Sequence, residues 1–257
     1  MTNRISALYH RAQRLWRAID AASPNPAASA AASLWFREQL AEYKALGGEA
    51  ADADLQPCLG DRSHATPFDP HYFYQAVWAT QRLIAVPPAR HVDVGSELAW
   101  VASLAAWFPV TFIDIRPARV TVPNFESKAG SILSLPYADG SVRSLSCMHV
   151  IEHVGLGRYD DALNPRGSEL AARELQRVLS PGGTLLLSAP VGRRRTCFNA
   201  HRIHAPAAII AWFNTCELAE FGAVGDDGSF QPHAEPRRYE QADYACGLFM
   251  FRRRSLG

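Results

Sequence analysis

Side chains that could move a proton are concentrated in two segments of the chain. The first contains His149, Glu152 and His153, and the second contains His201. An imidazole has an ordinary pKa near about 6.5, so it can take the proton of a hydroxyl nucleophile at neutral pH. These four residues are the candidate catalytic residues, and we expect His153 or His201 to be the base. Taken singly, each is more often a structural hydrogen-bonding residue.

The spacing of His149, Glu152 and His153 also matches HxxEH, the motif of inverted zinc peptidases. That chemistry requires both histidines one turn apart on a helix, with a third ligand elsewhere. Here residues 145–150 have the pattern of a strand, and Gly155 follows at once. We therefore expect no metal, and a zinc hydrolase is the third and weakest alternative.

A second group of residues suits a nucleoside ligand. The buried run 91–94 turns at Gly95 into a helix, and ligands of doubly wound sheets bind just beyond such strand ends. Asp114 ends the next β-branched run, where a carboxylate can accept hydrogen bonds from a ribose diol. Glu97 and Leu98 stand where a dinucleotide fingerprint has further glycines, which disfavours NAD and FAD. The pattern indicates a nucleoside-like ligand, of which S-adenosylmethionine is a common example.

Two longer segments carry a family resemblance. Residues 130–153 contain Leu-Pro-Tyr-Ala-Asp and then a strand before Glu152-His153, and residues 174–190 contain Arg-Val-Leu-Ser-Pro-Gly-Gly before another strand. In this order they resemble the class I S-adenosylmethionine-dependent methyltransferases, particularly a poorly characterised branch of the type 11 group. The resemblance covers roughly residues 90–190. It implies S-adenosyl-L-methionine as cofactor and methyl transfer as the reaction.

The resemblance also implies which residues bind the cofactor. Asp93 and Gly95, with the adjoining Ser96, match the motif at the methionine end, and Asp114 matches the ribose carboxylate. The family's glycine-rich turn is otherwise lost here. The remaining matches are Ser131 and Ile132 beside the adenine and Met148 below the sulfonium.

Two less usual segments, residues 152–161 and 190–204, should lie beyond strand ends over the cofactor. We expect Arg158 and Arg202, which they contain, to orient an anionic or polar substrate.

The elements that must position these residues follow an alternating strand and helix pattern after Pro87-Pro88. We predict an α/β fold, a doubly wound Rossmann-like methyltransferase sheet over residues 89–257. Predicted strands cover 90–94, 110–115, 127–132, 144–150, 184–189, 218–224 and 244–252, and predicted helices cover 98–107 and 167–179.

A helical extension is predicted over residues 1–88. Residues 1–20 have the spacing of an amphipathic helix with a basic face, which could contact an anionic membrane, although packing on its own domain is commoner. Residues 23–33 have the composition of a linker, and a helix follows at 34–46. The aromatic run 70–86 predicts a third helix that either caps the pocket or completes the core.

Composition excludes several classes of protein. The 257 residues carry a formal net charge of +1, which argues against nucleic acid as the main partner. The longest apolar run, 207–213, is too short to span a membrane. The five cysteines are scattered and contain no CxxC pair, so we expect a reduced cytoplasmic protein.

These observations favour a methyltransferase that acts on a small-molecule or glycan-like acceptor. The alternative from a different class is an inactive, methyltransferase-like binding or scaffold protein.

Overall fold

The computed structural model describes residues 26–59, 61–62 and 64–255. The helix expected over residues 1–20 lies outside them. The chain divides into two compact units, Met1–Phe68 and Asp69–Gly257. The first unit contains helix α1 (Pro26–Ala45). The linker expected over 23–33 is therefore wrong from residue 26 onward, because proline suits the first helical position and alanine is the strongest helix former.

A sheet of eight strands forms the second unit, with a separate two-stranded sheet beside it. The strands are β1 (His91–Val94), β2 (Val110–Asp114), β3 (Phe125–Ala129), β4 (Val142–Met148), β5 (Leu179–Val191), β6 (Arg195–Cys197), β7 (His201–Ile203), β8 (Cys216–Val224), β9 (Phe230–Gln231) and β10 (Ala245–Arg253). The order in the large sheet is β3-β2-β1-β4-β5-β10-β8-β9. Strands β1 to β5 pair in parallel, whereas β10 is antiparallel to β5 and β8.

Helices cover both faces of this sheet. They are α2 (Pro70–Ala85), α3 (Leu98–Leu104), α4 (Gly167–Val178) and α5 (Pro206–Trp212). One apolar cluster packs α4 and α5 on the sheet, and a second packs α2 and α3 on the opposite face. The predicted doubly wound α/β fold is thus confirmed, while α5 and the short strands β6, β7 and β9 were not predicted.

The aromatic helix α2 completes the core of the sheet unit. Trp78 is fully buried in the second cluster. The Oγ atom of Ser188 donates a hydrogen bond to Oε1 of Gln75, which ties the helix to β5. The sequence assigned this helix to the N-terminal extension, whereas it lies within Asp69–Gly257. The position of a domain boundary after residue 88 stays a prediction.

Among the residues that the structure describes, no helix combines the length and the apolar character needed to cross a membrane.

Candidate active site

The turn after β1 depends on a glycine. Gly95 has φ +70°, in the left-handed region that favours glycine. A Cβ atom there would lie 3.2 Å from Cγ1 of Val150 and 3.7 Å from Oδ2 of Asp114. The missing side chain therefore leaves space between Val150 and Asp114 that a larger residue would fill.

Asp93 and Ser96, which were predicted to bind the cofactor, are buried beneath this turn. The Oγ atom of Ser96 donates to Oδ2 of Asp93 at 2.6 Å, and its backbone N–H donates to Oδ1 at 3.0 Å. The same Ser96 Oγ accepts a bond from the N–H of Met148 at 2.9 Å, which joins the ends of β1 and β4. Burial raises the pKa of Asp93 to about 6. Asp93 and Ser96 therefore support the turn from inside the protein, and the Met148 side chain is likewise buried.

Glu97 occupies the N-terminus of α3. Its carboxylate accepts hydrogen bonds from the backbone N–H groups of Ala99 at 3.0 Å and Trp100 at 2.7 Å. Dinucleotide-binding sheets offer such N–H groups to a pyrophosphate. Here the chain's own carboxylate takes them, which supports the prediction that NAD and FAD are not ligands.

A cavity of about 720 Å³ opens at the carboxyl ends of β1, β2 and β4, and we call it the larger cavity. Gly95 and Asp114, two of the predicted cofactor residues, line it. The Asp114 side chain is 16% exposed, and its Oδ1 atom accepts the N–H of Arg116 at 2.7 Å. Ser131 and Ile132 lie at the cavity wall after β3. Four of the seven predicted cofactor residues thus meet in one cavity.

A second cavity of about 520 Å³, the smaller cavity, adjoins the first. The start of α2 forms one wall. The Asp69 carboxylate fixes this helix end by accepting the N–H groups of His71 at 2.9 Å and Tyr72 at 3.2 Å. All four candidate catalytic residues and Arg158 lie around it. The residues that line both cavities are His149, His153 and Tyr159.

His149 and Glu152 form a buried pair at this junction. The Nδ1 atom of His149 lies 2.8 Å from Oε1 of Glu152. On the other side of the ring, Nε2 lies 3.3 Å from Sγ of Cys246. Burial alone would lower the pKa of His149, but the charges of Cys246 and Glu152 outweigh it and raise that pKa to about 10. Burial would likewise raise the pKa of Glu152, but His149 lowers it. The pair is therefore ionic at neutral pH, and His149 is unsuited to accept a proton there.

His153 and His201 are better placed to act as the base. The Nδ1 atom of His153 lies 2.6 Å from the carbonyl oxygen of Ala200, which can only accept, so Nδ1 donates and Nε2 is left as the acceptor. Burial lowers the pKa of His201, so this imidazole is neutral at pH 7. Arg158 lies beside them and donates to the Ala200 carbonyl at 3.1 Å.

Arg202 does not reach either cavity. Its guanidinium is buried and donates to the carbonyl oxygens of Val154 at 2.6 Å and Asn164 at 2.9 Å. The role predicted for it, orientation of a substrate, has no support in this geometry. Instead Arg202 holds together the loop that follows β4.

The HxxEH motif is not on a helix. His149 has φ +55°, and residues 151–155 form turns. The two histidines of a zinc peptidase share one face of a helix, so this backbone does not fit that alternative.

Sequence reasoning missed several residues of the smaller cavity. His71 and Tyr72 stack on the His149 ring at centroid distances of 5.5 and 5.3 Å. Tyr244 stacks on His71 at 5.1 Å. The Asp-Pro pair at 69 and 70 was an available signal for the helix start that carries His71 and Tyr72, whereas no local pattern marked Tyr244 or Cys246.

One family model matches part of the chain. Residues 119–229 match a family described as "Caenorhabditis protein of unknown function, DUF268". No curated protein matches the chain.

Three solved structures illustrate the likeness. The N-methyltransferase NodS from Bradyrhizobium japonicum, in complex with S-adenosyl-L-homocysteine, is 16% identical, with 79% of this chain and 93% of NodS covered and a TM-score of 0.51. The YcgJ protein from Bacillus subtilis is 14% identical, with 72% and 100% covered and a TM-score of 0.51. The [4+2]-cyclase SpnF is 17% identical, with 72% and 81% covered and a TM-score of 0.53.

The Rossmann-like methyltransferase fold predicted from the sequence is thereby confirmed. At these identities the likeness concerns the fold alone, and a cyclase shares it with a methyltransferase. The reaction must be argued from the site.

Proposed function

We propose that this protein binds S-adenosyl-L-methionine in the larger cavity and transfers its methyl group to a small-molecule or glycan-like acceptor in the smaller cavity. The observation that carries the proposal is the junction of the two cavities at His149, His153 and Tyr159. Methyl transfer needs two ligands that meet at one point, because the acceptor atom must approach the methyl group in line with the bond that breaks. The assignment to the type 11 group and the cytoplasmic location stay predictions.

The residues of the larger cavity fit the cofactor. Asp114 presents a carboxylate at the end of β2, where it can accept hydrogen bonds from a ribose diol. Gly95 keeps the space between Val150 and Asp114 free for a ligand. Ser131 and Ile132 follow β3, with Ile132 supplying apolar surface for a base.

The residues of the smaller cavity can align an acceptor and take its proton. The bound cofactor supplies the methyl group on its sulfonium. His153 or His201 accepts the proton of an acceptor hydroxyl. The Oε2 atom of Glu152 is buried without a hydrogen-bond partner among the described residues, so it can accept a bond from an acceptor O–H or N–H group.

The lining of the smaller cavity favours a polyhydroxylated acceptor over a polyanion. Tyr72 and Tyr244 present aromatic surface there, and the carboxyl groups of Glu152, Asp226 and Asp243 outnumber the guanidinium of Arg158. Carboxylates accept hydrogen bonds from hydroxyls but repel phosphates. We therefore propose no nucleic-acid partner.

The experiment is a calorimetric titration with S-adenosyl-L-methionine and with S-adenosyl-L-homocysteine. We expect one site for each ligand. In Asp114→Ala the affinity should fall about 10- to 150-fold, since a hydrogen bond to a charged group contributes about 1.5–3 kcal/mol.

Asp243→Ala is the matched control. This aspartate lines only the smaller cavity and its side chain is 79% exposed, so its loss should leave cofactor affinity unchanged. Absence of binding at millimolar ligand would overturn the proposal in favour of the scaffold alternative. Unchanged affinity in Asp114→Ala would refute the ribose assignment.

A further inference from the structure

Three side chains that commonly bind transition metals meet beside the smaller cavity. His71, His149 and Cys246 each have a ligand atom within 4.8 Å of the other two. They come from three separate elements: the start of α2, the end of β4 and strand β10. None of the three is the base in the methyl transfer proposed above.

We propose that His71, His149 and Cys246 form a binding site for a divalent transition-metal ion of the zinc class. Two imidazole nitrogens and one thiolate are a donor set that Zn²⁺ prefers over hard cations such as Mg²⁺. Three protein ligands leave the fourth tetrahedral position open. Because His71 and His149 line the smaller cavity, that position faces it.

The distances suit such an ion after a small movement. Zinc bonds of about 2.3 Å to sulfur and 2.05 Å to nitrogen place tetrahedral S and N ligands about 3.6 Å apart. The Cys246 Sγ to His149 Nε2 distance is 3.3 Å. The largest separation in the cluster, up to 4.8 Å, needs to shrink by about 1 Å. The His71 ring, partly exposed and in stacking contact with His149 and Tyr244, can supply that movement.

Glu152 completes the arrangement around His149. Metal-bound histidines almost always donate their other ring N–H to a carboxylate, a carbonyl or water. The Nδ1 atom of His149 lies 2.8 Å from Oε1 of Glu152, and both side chains are buried. This bond leaves Nε2, the atom that faces Cys246, as the ligand atom.

The protons balance in a simple way. Without metal, Nε2 of His149 and Sγ of Cys246 lie in hydrogen-bond contact, so at least one of them carries a proton. The ion takes the lone pairs of both atoms, and that proton leaves to solvent. No oxidant or reductant is needed.

Cys246, His149 and Glu152 also have the order of a nucleophilic triad, in which a thiolate attacks a substrate. Cys246 is fully buried and lines neither cavity, so a substrate carbon cannot approach its sulfur. A single ion between Cys246 and the two histidines needs no such approach. The geometry therefore favours a metal over a nucleophile.

The test uses the untagged full chain, loaded with zinc, dialysed and analysed by mass spectrometry for metal per protein. We expect about one zinc per chain in the wild type. Cobalt(II) added to chelator-treated protein should give a thiolate-to-cobalt charge-transfer band. In Glu152→Gln the zinc affinity should fall about 10- to 100-fold, the usual effect of losing a carboxylate partner.

Two substitutions of metal-ligand residues and two control substitutions decide the outcome. Zinc should be lost in His71→Ala, a change at a partly exposed side chain, and the cobalt band should vanish in Cys246→Ser. Cys197→Ser and His233→Ala, which alter a thiol and an imidazole outside the cluster, should keep both signals. Absence of stoichiometric zinc from folded wild type would overturn the proposal, as would wild-type zinc affinity in His71→Ala. Neither result bears on cofactor binding.

Discussion

The Oγ atom of Ser96 donates a hydrogen bond to Oδ2 of Asp93 at 2.6 Å, below the floor of the larger cavity. The two residues carry part of the family resemblance, yet they bind each other. Their role is to hold the turn at Gly95, whose missing side chain keeps the cavity open.

We predict that Gly95→Ala weakens both folding and cofactor binding. A non-glycine residue in the left-handed region costs about 1–2 kcal/mol, and the new Cβ would lie 3.2 Å from Val150. Urea denaturation should show the stability loss, and S-adenosyl-L-homocysteine affinity should fall at least about tenfold, or 1.4 kcal/mol. Gly140→Ala is the control, since Gly140 also has a positive φ but lies outside the cavities. It should lose stability alone, and equal affinities in the two variants would contradict the assignment.

The same substitution should destabilise the protein far more at Arg202 than at Arg158. Arg202→Met removes the side-chain donor of the Val154 carbonyl oxygen, while Asn164 O keeps the N–H of Gly167, so the free energy of unfolding should fall by about 1–3 kcal/mol. Arg158→Met removes an exposed side chain and should change it by less than about 0.5 kcal/mol. Urea unfolding measured by circular dichroism checks both values. A similar, small effect in the two variants would show that Arg202 does not hold its loop.

The histidines around the smaller cavity should titrate far apart. Burial lowers the pKa of His71 to about 4. Burial also acts to lower the pKa of His149, but Cys246 and Glu152 raise that pKa to about 10. Nitrogen-15 spectra of the imidazole rings of chelator-treated protein, assigned with single His→Asn variants, measure both values. Cys246→Ser should lower the His149 pKa, and a His149 ring that titrates near about 6.5 would contradict the ionic pair.

His91 should make the protein sensitive to acid. Its ring is buried between the hydroxyls of Ser144 and Ser146, and burial lowers its pKa to about 3. The unfolded chain binds a proton at this site near about pH 6.5, whereas the folded chain does not. The contribution of His91 to the free energy of unfolding is therefore complete above that pH. It is lost as the pH falls towards 3, by about 2 kcal/mol between pH 7 and pH 5.

The measurement is urea unfolding at pH 7 and pH 5 of the wild type and His91→Asn. The variant should lose about 2 kcal/mol less than the wild type over this interval. Asp93, whose pKa of about 6 falls in the same interval, shares Ser146 with His91, so Asp93→Asn alone and together with His91→Asn serves to separate its contribution from that of His91. Identical pH dependence would rule out this origin of acid sensitivity.

Much of the fold could be predicted because the signals are local. Buried β-branched runs, the glycine after β1 and the Pro-Gly-Gly after α4 mark their elements within a few neighbouring residues. Strand β4, predicted at 144–150, is observed at Val142–Met148. Helix α5 was missed because its seven residues are all apolar and therefore show no helical period.

The amino-acid order alone predicted the α/β class and the strand ends at which Gly95 and Asp114 lie. Only the tertiary structure showed that Asp93 and Ser96 lie below the cavity and that Cys246, 97 positions from His149, touches its ring. Strand ends are local properties, since the pattern of buried side chains along a few residues determines them. A contact between the end of β4 and strand β10 depends on the order of the strands in the sheet. That order is a property of the whole chain, and no short segment of the sequence encodes it.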